Sequence, residues 1–240
     1  MKIAWASDLH FNFVTKQQRT DFLNSVDADA LIITGDLADA HILEEVLADL
    51  HTNTYFVLGN HDSYHGSIEA SRELAAKHSG YLSTALVQLT NKTALIGVDG
   101  WGDCRYGNTD TSNVYLNDWN FIAELRGRSD LRSKLYSLGD DAAKMLRPLL
   151  DLACKFPNVI VATHVPPFAM NDPDYQPYFS CKAVGDLLLE YANHRPNCNI
   201  TILCGHTHLG GDVQVTHNLR MLVAKADYYK PEVQQIIEID

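Results

Sequence analysis

Residues 54–62 read TYFVLGNHD. The first five suit a strand buried on both faces, and a glycine then hands over to an amide, an imidazole and a carboxylate at Asn60, His61 and Asp62. Polar groups packed at the mouth of a buried strand are costly to desolvate unless something binds them. The same handover recurs along the chain. Lys2–Ser7 leads into Asp8 and His10, Ala30–Thr34 into Gly35 and Asp36, Asn158–Thr163 into His164, and Ile200–Cys204 into Gly205, His206 and His208.

Between these runs, and a further one at Thr93–Val98, lie segments with helical spacing: Lys16–Ser25, His41–Leu50, Ser67–His78, Gly139–Lys155 and Cys181–Asn193. Such alternation predicts a layered α/β architecture with helices covering a sheet. The carboxyl ends of the strands in such a sheet share one edge, where ligands bind, so the Asp, Asn and His residues should converge there. The glycines at 35, 59 and 205 are expected to let the backbone turn sharply. After Cys204 the helices stop, and DVQVTH, LRMLVA and VQQIIEI alternate like antiparallel strands, with HNL as a hairpin turn. A second, more antiparallel sheet is expected from them. Residues 99–138 lose all periodicity and read as an irregular, functional insert. The 240 residues suit one domain, 1–240.

The hydrophobic fraction of 46% supports a sizeable core, and no apolar run approaches the roughly 20 residues that span a bilayer. A soluble protein with no membrane partner is expected. The N-terminal apolar stretch breaks at Ser7 and Asp8, too early for a signal peptide, which makes the cytoplasm the expected location. Five cysteines without CxxC spacing read as reduced thiols. A net charge of −11 argues against a long nucleic-acid footprint. A small phosphorylated partner stays open, because bound metal would reverse the sign locally.

Divalent cations resolve the crowding of polar groups. Mixed carboxylate and imidazole donors suit Mn, Fe, Co, Ni or Zn better than Ca or Mg. Two Asp, one Asn and four His exceed one tetrahedral site and are enough for two ions sharing a bridging Asp. Two metals roughly 4 Å apart form a clamp for in-line displacement at phosphorus.

The fragments DLH, GDLAD, GNHD, His164 and GHTH, in that order and each after a strand-like run, resemble the calcineurin-like metallophosphoesterase superfamily, in the style of its compact, single-domain phosphodiesterase-like branch. The resemblance covers Ile3 to about Gly210. With the runs above, it leads us to expect a layered α/β/β/α sandwich of two mixed sheets, with the metal site at the carboxyl ends of the strands. It implies one metal held by Asp8, His10, Asp36 and His208, and a second by Asp36, Asn60, His164 and His206, with Asp36 bridging. His61 then contacts the phosphate and protonates the leaving oxygen as general acid, oriented by Asp39, while Asp62 fixes the turn. Asp39 also stands where it would cap a helix starting near Ala40. The implied reaction is hydrolysis of a small phosphoester by a metal-bridging hydroxide.

The chain departs from the protein Ser/Thr phosphatases, which follow GD..D with Arg-Gly and use GNHE; here Ala40 and His41 follow Asp39, and the motif is GNHD. Protein phosphatase activity is therefore not expected. A phosphodiester is favoured over a phosphomonoester or a nucleotide, and a scaffold that has lost its metals is disfavoured because every donor position is filled. With no arginine after GD..D, Arg105 in GWGDCRYG is the candidate cation for the substrate, with Trp101 and Tyr106 as stacking rings. Arg105 reads equally well as a solvated surface residue.

Overall fold

Each of the six apolar runs forms a strand: β1 (Lys2–Ala6), β2 (Ala30–Thr34), β3 (Thr54–Val57), β5 (Thr93–Val98), β6 (Asn158–Thr163) and β7 (Asn199–Cys204). The remaining strands are β4 (Val87–Gln88), β8 (Leu209–Thr216), β9 (Leu219–Lys225) and β10 (Gln235–Glu238). The structure, a computed structural model, describes residues 1–170 and 173–240, with Thr84 described by its backbone alone.

Two mixed sheets result. The first has the order β10-β1-β2-β3 and the second β4-β5-β6-β7-β9-β8. Strands β1, β2 and β3 run parallel, as do β5, β6, β7 and β9, while β10, β4 and β8 are antiparallel to their neighbours.

Helices α1 (Lys16–Ser25), α2 (Ala40–Asp49) and α3 (Ile68–Ala75) belong to the first half of the chain, α4 (Asp118–Phe121) to the insert, and α5 (Leu131–Ala153), α6 (Gln176–Phe179) and α7 (Lys182–His194) to the second half. The period of two along each strand sorts its residues into layers. In β1, Ala4 and Ala6 face Phe22, Leu43 and Val46 of α1 and α2. Ile3 and Trp5 instead pack with Ile32 and Val57 against Leu95, Ile160, Leu203 and Leu222 of the other sheet. On the far side, Leu146, Leu150 and Leu188 of α5 and α7 cover Ile96, Val161 and Ile202. The layers are thus α/β/β/α. Strands buried on both faces explain the near-continuous apolar runs.

The last three segments correct the expectation of a separate antiparallel sheet. They are shared between the two sheets already built. Strand β9 lies parallel to β7, and β10 pairs antiparallel with β1. The run LRMLVA is apolar on both faces, Met221 and Val223 meeting the helix layer and Leu222 and Ala224 the other sheet, which is the mark of an interior strand. Asn218, in the hairpin turn, ties the tip in place by donating its amide to the carbonyls of Ala192 and Cys198 at 3.0 Å each.

The insert is also shorter than expected, because α5 begins at Leu131 rather than Gly139. Gly139, where the helical segment was expected to start, lies inside the helix, where any side chain would overlap Asp103.

Candidate active site

Parallel β1, β2 and β3, and β5, β6 and β7, bring their carboxyl ends to one edge, and all seven expected donors meet there. Asp36 Oδ2 lies 3.4 Å from His164 Nε2 and 3.9 Å from His10 Nε2. His164 Nε2 and His206 Nδ1 are 3.2 Å apart, and each is 3.1 Å from Asn60 Oδ1. On the other side, His208 Nε2 is 3.2 Å from Asp8 Oδ1 and 3.4 Å from His10 Nε2. The groups whose ligand atoms lie close enough to hold one ion are Asp8, His10 and His208; His10, Asp36 and His61; and Asp8, Asp36 and His164, so Asp36 belongs to two of the three.

The backbone is bent to achieve this. Asp8 (φ 52°), His10 (43°), Asp36 (53°), His206 (68°) and His208 (59°) all sit in the left-handed region, which L-residues avoid. The three glycines serve a different purpose from the one expected, since only Gly35 has a positive φ, of 90°. A Cβ on Gly59 would overlap Asp36 Oδ1, one on Gly205 would overlap Asp8 and Ser7, and one on Gly35 would overlap His164. Their role is to let a strand end lie directly against a donor from another strand, which for Gly35 and Gly205 belongs to the other sheet.

Partners outside the cluster orient the donors. His164 Nδ1 donates to the Thr34 carbonyl at 2.8 Å, which turns Nε2 inward. The His206 backbone N–H donates to Asp8 Oδ1 at 3.0 Å. The His61 backbone N–H donates to Asp36 Oδ1 at 2.9 Å, leaving the other carboxylate oxygen to face the histidines. Asp62, fully buried, accepts from the Ala38 and Gly59 N–H groups at 2.9 and 2.8 Å and so joins two of the donor loops. Its burial, with Asp36 close by, pushes its carboxyl up to about 8.

Burial would raise the Asp36 carboxyl, but the surrounding His164, His61 and His10 outweigh it and draw the group well below the usual carboxylate range. Burial holds His10 down to about 4 and, with His164 adjoining, His206 down to about 3. Both are neutral imidazoles, the form that binds metal. Burial would also lower His164, yet Asp36 and Asp8 overcome it and raise the ring to about 10, so positive charge is wanted at this point. Imidazole nitrogens and an amide oxygen converging at 3.1–3.4 Å repel unless a proton or cation lies among them. Such an O/N donor set fits divalent Mn, Fe, Co, Ni or Zn.

His61 stands beside the cluster with its ring stacked on Tyr64, centroids 4.0 Å apart, and edge-on to His10 at 4.6 Å. Asp39 caps nothing with its side chain. Its Oδ1 faces His61 Nδ1 at 3.8 Å and its Oδ2 faces His65 at 3.9 Å.

The sequence of residues 1–210 matches the profile of the calcineurin-like phosphoesterases. The chain belongs to the calcineurin-like phosphoesterase family. An uncharacterized metallophosphoesterase of Aquifex aeolicus is 30% identical over 118 residues, which is 45% of each protein, so the match spans less than half of that relative. The fold is similar to a dimetal phosphatase from Danio rerio (TM-score 0.59, 13% identity, 94% of this chain and 87% of that one). It is also similar to a protein of Thermus thermophilus (0.56, 14% identity, 93% and 89%). Calcineurin-like phosphoesterases use a dinuclear divalent metal site, and this cluster, with its overlapping metal-capable sets, is the candidate for it.

Of Arg105, Trp101 and Tyr106, expected to grip the substrate, none lines the open cleft of about 350 Å³ above the donors, whereas His61 does. Arg105 turns away: its guanidinium is paired with Asp103 at 3.0 Å and Asp140 at 2.7 Å and lies over the Tyr136 ring. Trp101 is 4% exposed and packs with Tyr64, Ile122 and Leu135 beneath the cleft, leaving no face for a ligand. Tyr106 is half-buried, with Lys182 over its ring. The glycines of GWGDCRYG serve packing, since a Cβ on Gly102 would overlap Tyr178 and one on Gly107 would overlap Pro173.

The cleft is walled instead by Tyr64, Tyr115, Phe179 and Tyr228, with Asp118 at its base. None of these belongs to a run-then-Asp, Asn or His handover, so the pattern that found the donors could not find them. Among the described residues no helix is long and apolar enough to cross a membrane.

Proposed function

We propose that this protein hydrolyses small phosphoesters with two divalent metal ions and prefers phosphodiesters. The carrying observation is the position of Asp36, whose carboxylate faces both His10 and His164 and accepts from the His61 N–H. Asp8, His10, Asp36 and His208 would hold one ion, and Asp36, Asn60, His164 and His206 the other. Bound there, the ions supply charge to neutralise phosphoryl oxygens and to make a water more acidic.

The chain's own groups complete the chemistry. His61 gives a proton to the departing oxygen, with its main chain fixed by the bond to Asp36 and its ring by the stack on Tyr64. Asp39, facing Nδ1, keeps that ring turned toward the cleft. Among the described residues that line the cleft there is no Lys or Arg, while Asp36 and Asp118 contribute carboxylates. A singly charged diester suits such walls better than a doubly charged monoester, which disfavours the phosphomonoesterase and nucleotide phosphohydrolase readings. The full donor set disfavours an inactive scaffold.

The test is metal analysis of purified protein together with a panel of aryl phosphodiesters, phosphomonoesters and nucleotides. Metal-dependent turnover, fastest on a diester, is expected. Two bound ions with no turnover of any ester would overturn the proposal.

A further inference from the structure

The cleft carries two aromatic walls, one at each end of the donor cluster. At one end the Tyr228 ring lies over His10 and His208, centroids 4.6 and 5.1 Å away, and is backed by Phe13 at 5.3 Å. At the other, Phe179 lies 4.5 Å from His206 and is backed by Tyr175 at 5.5 Å. Tyr115, from the insert, also lines the cleft, its ring edge-on to Trp119 at 4.9 Å.

Exposure singles out this region. Among the described residues, Phe13, Tyr115, Tyr175, Tyr228 and Tyr229 are all exposed; Tyr115 and Tyr228 line the cleft, Phe13 and Tyr175 touch rings that do, and Tyr229 touches Phe13. Exposed aromatic surface gathered around one cleft marks binding rather than core.

We infer, on the proposed reading of the site as a phosphoesterase, that its substrate is a phosphodiester with an aromatic group on each arm, one stacked on Tyr228 and the other on Phe179. A phosphate seated on the donors would project its two ester arms toward the two ends of the cluster. Each end presents ring faces and edges, to which an aromatic arm gains more than its area burial through offset or edge-to-face contact. With no Lys or Arg among the described residues that line the cleft, these arms supply the grip that a phosphate-binding arginine gives elsewhere.

Diphenyl phosphate, dicyclohexyl phosphate and dimethyl phosphate serve as binding probes, titrated by calorimetry into the metal-loaded protein. Diphenyl phosphate is expected to bind at least about 10-fold more tightly than the other two, and Tyr228→Ala and Phe179→Ala each to cut that preference by about 3- to 10-fold, the scale of one aromatic contact. Metal content of each variant is measured alongside, and Tyr228→Phe should restore the preference. In turnover, the ratio of kcat/KM for bis(4-nitrophenyl) phosphate over methyl 4-nitrophenyl phosphate, which share a leaving group, should fall in the same two variants. Equal binding of diphenyl and dicyclohexyl phosphate, or a preference that both variants keep, would overturn the inference while leaving the hydrolase reading intact. Failure of every ester to turn over at full metal occupancy would instead strike the hydrolase reading.

Discussion

The Asn60 side-chain amide donates to Asp118 Oδ1 at 2.9 Å, and this bond decides which end of the amide faces the donor cluster. The two ends of an Asn side chain are nearly alike in shape, so the partner sets the direction. Tyr64 hydroxyl donates to the same oxygen at 2.6 Å. Burial raises the Asp118 carboxyl, and the bonds from Tyr64 and Asn60 only partly offset it. The insert thus orients a donor that belongs to β3. Asp118→Ala is expected to weaken one of two bound ions by about 10- to 100-fold, the usual effect of losing a partner behind a metal ligand. Titration of metal-free protein with Mn or Zn would show it as one weakened step out of two. Two unchanged steps would mean that packing alone holds Asn60.

Asp36→Asn should loosen both ions, because its carboxylate faces His10 and His164 together. His208→Ala should loosen chiefly one. Removing metal from the unaltered chain should also lower its melting temperature by about 5–10 °C, from the stabilisation that a ligand at 100 times its Kd gives a protein of this size. Elemental analysis and thermal melts with and without chelator check all three.

For His61→Asn the expected loss is about 10²–10⁴-fold on esters with poor leaving groups and much less on nitrophenyl esters, which need little protonation. Asp39→Asn should follow the same trend more weakly. Rate measurements across leaving groups of graded acidity decide it. A uniform loss would recast His61 as a phosphate-binding group.

Arg105→Ala is expected to cost stability rather than activity. The guanidinium answers Asp103, whose side chain is fully buried and also accepts from the Ala183 N–H at 2.8 Å. Loss of a hydrogen bond to a charged group costs about 1.5–3 kcal/mol. Urea denaturation should report that loss, with kcat/KM unchanged on the best substrate found.

The donors were legible because each follows its strand within four residues, so the local pattern of apolar run, glycine and polar group carries the information. The layers were legible for the same reason. What the sequence concealed depends on contacts far apart in the chain. Asp118 reads as one polar residue among many in the insert until the fold sets it against Asn60, 58 positions away. Tyr228 lies after the last motif and meets His10 only through the pairing of β9 and β10 with strands from opposite ends of the chain. Arg105 misled for the converse reason: its loop does leave β5 at the correct edge, but two carboxylates and Tyr136 capture the side chain on the way. The pairing of β10 with β1 was hidden because an edge strand with an alternating pattern fits either sheet.

The left-handed backbone at Asp8, His10, Asp36, His206 and His208 bears on how such a protein changes over generations. Each of these positions holds an L-residue at roughly 1–2 kcal/mol above a relaxed conformation, and glycine would release much of that. A descendant that had already lost its metals would release that strain wherever glycine replaced a donor, so that part of the site's decay would run downhill. Keeping all five demands continual purging of variants that fold better and catalyse less.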